Sequence, residues 1–229
     1  MYDFSNTLLE IIYPHHCPGC DKRAKGLFCR RCSRLLPEID EDSCRYCGKP
    51  TMDATDRCRD CRGRRLYFDS ARAVWAFEGP ARLAIHAFKY GNQKTLAVDL
   101  AALMAPLVSS ETDVISWVPL TRKKTWNRGY NQAKLLARAI SRETGSPARG
   151  LLARTRPTVD QNLLDFSGRK QNVRDAFSLK SPNSIAGLRI VLIDDVFTTG
   201  ATVAECSRML KAGGARSVHV VTVARTVMG

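Results

Sequence analysis

Two adjacent carboxylates followed by a threonine-rich loop are the residues of this chain with the clearest chemical potential. Asp194 and Asp195 come directly after the apolar run 190–193, and a short Thr/Gly segment follows them. Carboxylates at the end of a strand can accept hydrogen bonds from two neighbouring sugar hydroxyls. Hydroxyls and backbone N–H groups at a helix N-terminus bind phosphate, because the donors and the helix dipole both favour negative charge. The pattern predicts a sugar-phosphate site, with a phosphate loop formed by Thr198, Thr199, Gly200, Ala201 and Thr202.

A simpler interpretation of the same segment stays open at this point. The strand could end in two solvated acids, with Thr199 or Thr202 as an ordinary N-cap of the next helix. A pair of acids alone would favour that interpretation. The apolar run before the acids and the Thr-Thr-Gly-Ala-Thr sequence after them favour the phosphate loop.

A second chemical signal lies in the cysteines. Eight of the nine cysteines form four Cys-x-x-Cys pairs, separated by 8, 11 and 10 residues. Each pair can supply two ligands to a tetrahedral Zn²⁺ ion, so the spacing predicts a double zinc ribbon with two structural zinc ions. A redox role is disfavoured because no thioredoxin-like strand and helix surround the pairs. Sequential grouping gives two sites, whereas a crossed grouping of the same eight ligands stays open. The predicted ligands are Cys17, Cys20, Cys29, Cys32, Cys44, Cys47, Cys58 and Cys61.

The remainder of the chain alternates strand and helix patterns. Strands are predicted at 70–78, 113–118, 151–154, 189–194 and 217–223, and helices at 79–90, 93–108, 128–143 and 201–212. Such alternation indicates an α/β fold with a parallel sheet, whose ligands bind at the carboxyl ends of its strands. We therefore divide the chain into an N-terminal helix and double zinc ribbon at 1–68 and an α/β domain at 69–229. The short N-terminal helix, within 1–13, is expected to pack on the zinc module.

Two polar segments of the α/β domain could also bind ligand. Arg128 and Gly129 are predicted to open a helix just after a strand, which would suit a pyrophosphate group. A solvated basic loop is the alternative. The long polar segment 154–173 has the length of a lid or binding loop.

Taken together, these segments resemble a known family. The acidic pair and its loop resemble the 5-phosphoribosyl-1-pyrophosphate (PRPP) loop of type I phosphoribosyltransferases. The order of zinc ribbons, Lys89-Tyr90-Gly91, the run 128–132, the loop 158–172 and the PRPP loop is similar to the ComF family, over nearly the whole chain. The resemblance implies a type I phosphoribosyltransferase-like core behind the zinc ribbons. It also implies a role in DNA uptake during natural competence or in nucleotide metabolism.

The resemblance assigns roles to individual residues. Asp194 and Asp195 would hold the ribose and serve as the catalytic acids, residues 198–202 would bind the 5′-phosphate, and Mg²⁺ would accompany PRPP. The pyrophosphate and loop contacts would come from Lys89, Arg128, Gly129, Gln161 and Arg169. Purine salvage enzymes of this fold carry an acid where this chain has Thr198, which argues against a hypoxanthine- or guanine-type substrate. The acceptor is therefore left open, as is turnover itself.

Charge points to a second class of partner. The chain carries 36 Lys and Arg against 22 Asp and Glu, a net charge of +14, and residues 69–229 account for +11 of it. The excess is concentrated at 122–174, where Trp126 and Tyr130 could stack on bases. The other interpretations are a patch that only attracts PRPP and a dispersed surface charge. A catalytically inactive module that binds single-stranded DNA is the alternative function, and the resemblance further implies proteins of the competence machinery as partners. No apolar run reaches the length of a membrane span and no signal peptide is recognisable, so we expect a cytoplasmic protein.

Overall fold

The structure is a computed structural model that describes residues 15–39, 42–155, 174–181 and 184–227. Its main sheet has four parallel strands in the order β1-β6-β5-β2. They are β1 (Ser70–Ala76), β2 (Val114–Trp117), β5 (Arg189–Phe197) and β6 (Ser217–Arg225). A separate antiparallel pair consists of β3 (Leu152–Arg154) and β4 (Phe177–Leu179). The predicted α/β fold with a parallel sheet is confirmed, and the central position of β5 puts its carboxyl end in the middle of one sheet edge.

Helices cover both faces of the sheet. In the zinc module lie α1 (Arg30–Ser33) and a 3₁₀ turn at Arg59–Cys61. The α/β domain contains α2 (Gly79–Tyr90), α3 (Leu96–Met104) with a 3₁₀ turn at Ala105–Leu107, α4 (Arg122–Arg128), α5 (Gln132–Thr144) and α6 (Ala201–Ala212). Within the described part of the chain, none of these helices combines the length and the apolar character that a bilayer span requires.

The alternation of side chains along β5 explains why a hydrophobic core lies on each face of the sheet. Ile190 and Leu192 join a core that contains α6, whereas Val191 and Ile193 join a second core that contains α2, α3 and α5. Successive side chains of a strand point to opposite faces, so one strand supports both cores. The alternation shifts by one residue near Asp195, since Val196 packs against the second core and Phe197 joins the first.

Several predicted boundaries need correction. β5 continues to Phe197, so Asp195 lies inside the strand and not beyond its end, as the predicted range 189–194 had implied. In α2, Ile85 takes an inward position and Leu83 is exposed. The buried residues of α5 include Ala133, Leu136, Ala137 and Ile140. The predicted N-terminal helix within 1–13 lies outside the described residues, and the division at 68/69 stays a prediction.

Candidate functional site

The phosphate loop joins the end of β5 to the start of α6. Gly200 adopts φ +76 and is the residue directly before the helix. A Cβ at this position would lie 2.6 Å from the Phe197 ring, so the loop requires glycine for both its backbone angle and its close packing. The Ala201 N–H donates to Thr199 Oγ1 over 3.4 Å. Ala201 and Thr202, the last two residues of the predicted loop, form the start of the twelve-residue helix, whose N-terminal dipole is directed toward 198–200.

The two acids of β5 have different surroundings. Asp195 follows the alternation toward the α2 face, where its Oδ1 lies 2.8 Å from Lys89 Nζ. Asp194 accepts a hydrogen bond from the Asp195 N–H over 2.9 Å. Burial, and then the negative charge of Asp195, raise the pKa of Asp194 to about 7, although Lys89 and Arg154 oppose the shift. The two carboxyls thus differ in their partners: Asp194 has a raised pKa, and Asp195 forms an ion pair with Lys89. Carboxyl oxygens in these positions suit hydroxyl and cation partners.

The structure places Lys89 beside the acidic pair, and its role as a pyrophosphate contact stays a prediction. Lys89 stands at the end of α2, and its backbone carbonyl accepts a hydrogen bond from Gln132 Nε2 over 3.4 Å. Gln132 is the first residue of α5, so two helices fix the position of the lysine. A lysine ammonium beside a carboxylate becomes free to bind an anionic ligand when a metal ion or a ligand hydroxyl takes the place of the ammonium group at the carboxylate.

The prediction for Arg128 and Gly129 was wrong about their local structure. Arg128 ends α4, and Gly129 follows in the left-handed conformation at φ +74, so the two residues close one helix and do not open the next, which begins at Gln132. The Arg128 side chain instead donates to Tyr90 Oη over 3.0 Å and lies over the Tyr90 ring. Any contact with pyrophosphate would thus come from its guanidinium group.

The two residues predicted to stack on bases differ in their exposure. Trp126 is 88% exposed on α4. Tyr130 is only 7% exposed, and its hydroxyl donates to the Phe88 carbonyl, so the suggestion that it stacks on bases was wrong. Tyr90 is the exposed aromatic that sequence reasoning missed; its place at the end of an amphipathic helix gave only a weak signal. Gln161 and Arg169 lie outside the described residues, and their roles stay predictions.

The eight paired cysteines form two compact clusters. Cys17, Cys20, Cys29 and Cys32 make up the first cluster, and Cys44, Cys47, Cys58 and Cys61 the second, with all ligand atoms of a cluster within 4.8 Å of one another. A tetrahedral zinc–thiolate site has sulfur–sulfur edges of about 3.8 Å. The Sγ distances of 3.6 Å for Cys20–Cys29 and 3.7 Å for Cys47–Cys58 fit that geometry. Both clusters can hold structural Zn²⁺, and the grouping is sequential, not crossed.

One further contact was not predicted from the sequence. Arg64, three residues beyond the last cysteine of the second cluster, donates from Nη2 to the Thr199 carbonyl over 3.1 Å. The two residues are 135 positions apart in the chain, and no local pattern links them. The zinc module thus touches the phosphate loop directly.

Comparisons with known proteins agree with this architecture. Residues 8–62 match the family model of the double zinc ribbon domain, and residues 140–227 match that of the phosphoribosyl transferase domain. Competence protein F of Haemophilus influenzae is 31% identical over 220 residues, covering 92% of this chain and 95% of that protein.

Two further relatives span most of both chains. The DNA utilization protein YhgH of Escherichia coli K12 is 33% identical over 211 residues, covering 87% of this chain and 90% of that protein. Competence protein ComFC of Bacillus subtilis is 27% identical over 218 residues, with 86% and 84% covered. With its two Cys₄ clusters, parallel sheet and phosphate loop, the chain belongs to the ComF family, in which a double zinc ribbon precedes a phosphoribosyltransferase-type domain.

Proposed function

We propose that this chain binds PRPP with Mg²⁺ at the carboxyl end of β5 and acts in the handling of incoming DNA or of nucleotides. The observation that carries the proposal is the acidic pair of β5 followed at once by the glycine-dependent loop and the N-terminus of α6. The names of its relatives, which refer to competence and to DNA utilization, support the cellular role.

Each part of the site suits one part of PRPP. The loop 198–202 offers hydroxyls and a helix N-terminus to the 5′-phosphate. Asp194 and Asp195 accept hydrogen bonds from the ribose hydroxyls, and Lys89 neutralises charge beside them. Arg128 can reach toward the pyrophosphate with its guanidinium group, which binds phosphate in a bidentate manner.

Magnesium fits the same residues. Hard oxygen ligands are those that Mg²⁺ prefers, and it is commonly bound by one or two carboxylates together with substrate phosphates. Asp195 is the better ligand of the two, because a carboxyl with a pKa near 7 is only partly ionised at neutral pH and Asp194 has that raised pKa. When bound, the metal would neutralise charge on the pyrophosphate leaving group.

The first test is a calorimetric titration of PRPP with Mg²⁺ into the wild type and Asp195→Asn. We expect the variant to lose about a hundredfold or more in affinity, because it removes a charged partner of both hydroxyl and metal. Asp53→Asn is the matched control, since Asp53 is exposed on the zinc module. Circular dichroism and a zinc content of two per chain would establish that each variant is folded. Equal affinity in wild type and Asp195→Asn would overturn the assignment.

A second function is favoured by α4. This short helix carries Arg122 and Lys123 at exposed positions, together with the almost fully exposed Trp126. Basic groups that follow a phosphate backbone and an aromatic ring on which bases stack are the elements of sequence-tolerant single-strand binding. A nucleic-acid-binding module on this fold would use α4, and a PRPP site could coexist with it.

A further inference from the structure

A buried arginine joins the second cysteine cluster to β6, the strand that pairs with β5 beside the loop. Arg225 lies opposite Phe197 in the register of β6 and β5 and is only 4% exposed. Its Nη1 donates to the Cys47 carbonyl and lies 3.4 Å from Cys47 Sγ. A buried guanidinium needs negative partners, and a zinc ion with four thiolates carries a net charge of about −2. Arg225 is therefore placed to orient and neutralise this cluster from outside its ligand shell.

Arg64 makes the corresponding contact on the loop itself. Its Nη2 donates to the Thr199 carbonyl, the group immediately before Gly200, while its Nη1 lies 3.4 Å from the Asp60 carbonyl within the second cluster's own turn. A single guanidinium thus bridges the cysteine turn and the phosphate loop. Between them lies a cavity of about 110 Å³, lined in part by Lys49, Asp60, Thr198 and Thr199.

Apolar packing reinforces the same connection. Phe68 meets Phe197 edge to face at a centroid distance of 5.9 Å and stacks on Tyr46 at 5.1 Å. The four cysteines of the second cluster share one core with Phe197 and Ala201. A shift of this cluster would move the ring against which Gly200 is packed.

The first cluster provides a contrast among the described residues. Gly19, in its first turn, packs against the side chain of Pro80 at the start of α2. Phe28 meets Trp75 of β1 edge to face at 5.7 Å. These contacts reach the opposite face of the sheet from the second cluster and do not involve the loop.

We propose that the second cluster is a positioning part of the ligand site, and that Arg64 and Arg225 are the positioning residues that hold the segment 199–200 in its phosphate-binding shape. Zinc in this cluster and anion in the loop then favour each other, because each stabilises the same arrangement. The ligand half of this inference rests on the proposed PRPP site, whereas the effect on the loop does not.

Hydrogen exchange of the unliganded protein tests the loop directly. We expect the hydrogen-bonded backbone amides of Ala201 and Ala204, whose acceptors are Thr199 Oγ1 and the Gly200 carbonyl, to exchange about tenfold faster in Arg64→Ala, because the Thr199 carbonyl loses its charged donor. Arg64→Lys should restore part of the protection. The control is Arg62→Ala, which makes the same change of charge at an exposed position two residues away. Equal exchange in Arg64→Ala and Arg62→Ala would overturn the inference, whatever PRPP does.

Ligand and zinc measurements test the coupling. In Arg64→Ala with two zinc ions retained, PRPP·Mg²⁺ should bind about tenfold more weakly. By reciprocity, saturating PRPP·Mg²⁺ should slow the transfer of one of the two wild-type zinc ions to a chromogenic chelator. Unchanged PRPP affinity together with unchanged release of both ions would refute the coupling. If the wild type bound no PRPP, the proposed function would fail, and the exchange experiment would still decide the role of Arg64.

Arg225→Met extends the test to the cluster itself. This variant should retain one zinc ion firmly and lose the other more readily, with Arg225→Lys closer to wild type. Equal retention of both ions in a folded Arg225→Met protein would count against the role of Arg225. Should the buried substitution prevent folding, the Arg64 series carries the inference alone.

Discussion

At the scale of single residues, Asp194 shows that the site opposes the stability of the fold. Its half-buried carboxyl lies beside a second carboxylate, and desolvation followed by that negative charge raises its pKa from an ordinary value near 3.8 to about 7. The folded protein therefore binds the Asp194 proton more tightly than the unfolded chain does. The resulting stability is fully present below the unfolded pKa and is lost as the pH rises toward 7. Only a ligand that uses the carboxylate would offset this loss.

We predict that Asp194→Asn stabilises the protein without ligand in neutral and alkaline solution. Asparagine keeps an oxygen to accept the Asp195 N–H but carries no charge. The variant's advantage in melting temperature should grow between about pH 4 and 7 and level off above, at roughly 2–4 °C for each kcal/mol gained. Thermal melts measure this difference in melting temperature, in a magnesium-free buffer that contains no chelator. Asp53→Asn should show no such growth, and a parallel course for Asp194→Asn would contradict the pKa assignment.

At the scale of the element, the phosphate loop depends on one glycine. Gly200 and Gly145 have the same φ of +76, but of the two only Gly200 faces another group, since a Cβ added there would lie 2.6 Å from the Phe197 ring. Alanine at Gly145 should cost about 1 kcal/mol for the backbone conformation. Alanine at Gly200 should cost a further 1–3 kcal/mol or so for the displaced ring. The matched pair separates backbone strain from steric crowding.

Chemical denaturation and PRPP titration of both variants check this prediction. Gly145 is the residue that caps the end of α5, and it is remote from the loop in sequence. Gly145→Ala should therefore bind PRPP like the wild type. Gly200→Ala should bind it far more weakly even at temperatures where it is fully folded. Equal stability of the two variants would mean that the ring moves aside freely, and the loop would then be less constrained than its packing indicates.

Local patterns predicted the elements well where a pattern was repeated. The alternation along β5 and the inward face of α5 recur over several residues, so the sheet and the main helices followed from the sequence. The segment 122–128 lacks an apolar face to bury and so gave no periodic signal, although Thr121 caps it as a helix through the Lys124 N–H. The sequence therefore predicted Gly129 at the start of a helix, whereas it caps the end of α4.

At the scale of the whole molecule, the sequence could not indicate how the two modules meet. The cysteine spacing predicted both clusters, because each depends on residues no more than 17 positions apart. The contacts of Arg64 with Thr199 and of Arg225 with Cys47 span 135 and 178 positions. Such contacts depend on the docking of complete modules. The acidic pair and its loop were predictable, whereas their support by the zinc module was not.

The distribution of charge leads to the last prediction. Residues 1–68 carry a net charge of +3, which two Zn²⁺ ions and eight thiolates change to about −1, so the positive charge of the molecule lies in the α/β domain. If α4 binds single strands, Arg122→Ala should reduce the slope of log affinity against log salt by roughly 0.7, the value for one phosphate contact. Trp126→Ala should instead weaken binding about tenfold and leave the slope unchanged, because stacking releases no counterions.

Fluorescence anisotropy with a labelled oligothymidine at several salt concentrations separates these two effects. Arg62→Ala, with the same loss of charge on the zinc module, should alter neither quantity. A wild-type slope near zero would exclude nucleic-acid binding of this electrostatic kind. A steep slope that Arg122→Ala leaves intact would move the interface away from α4, since the phosphate contacts would then come from the remaining basic residues of 122–174.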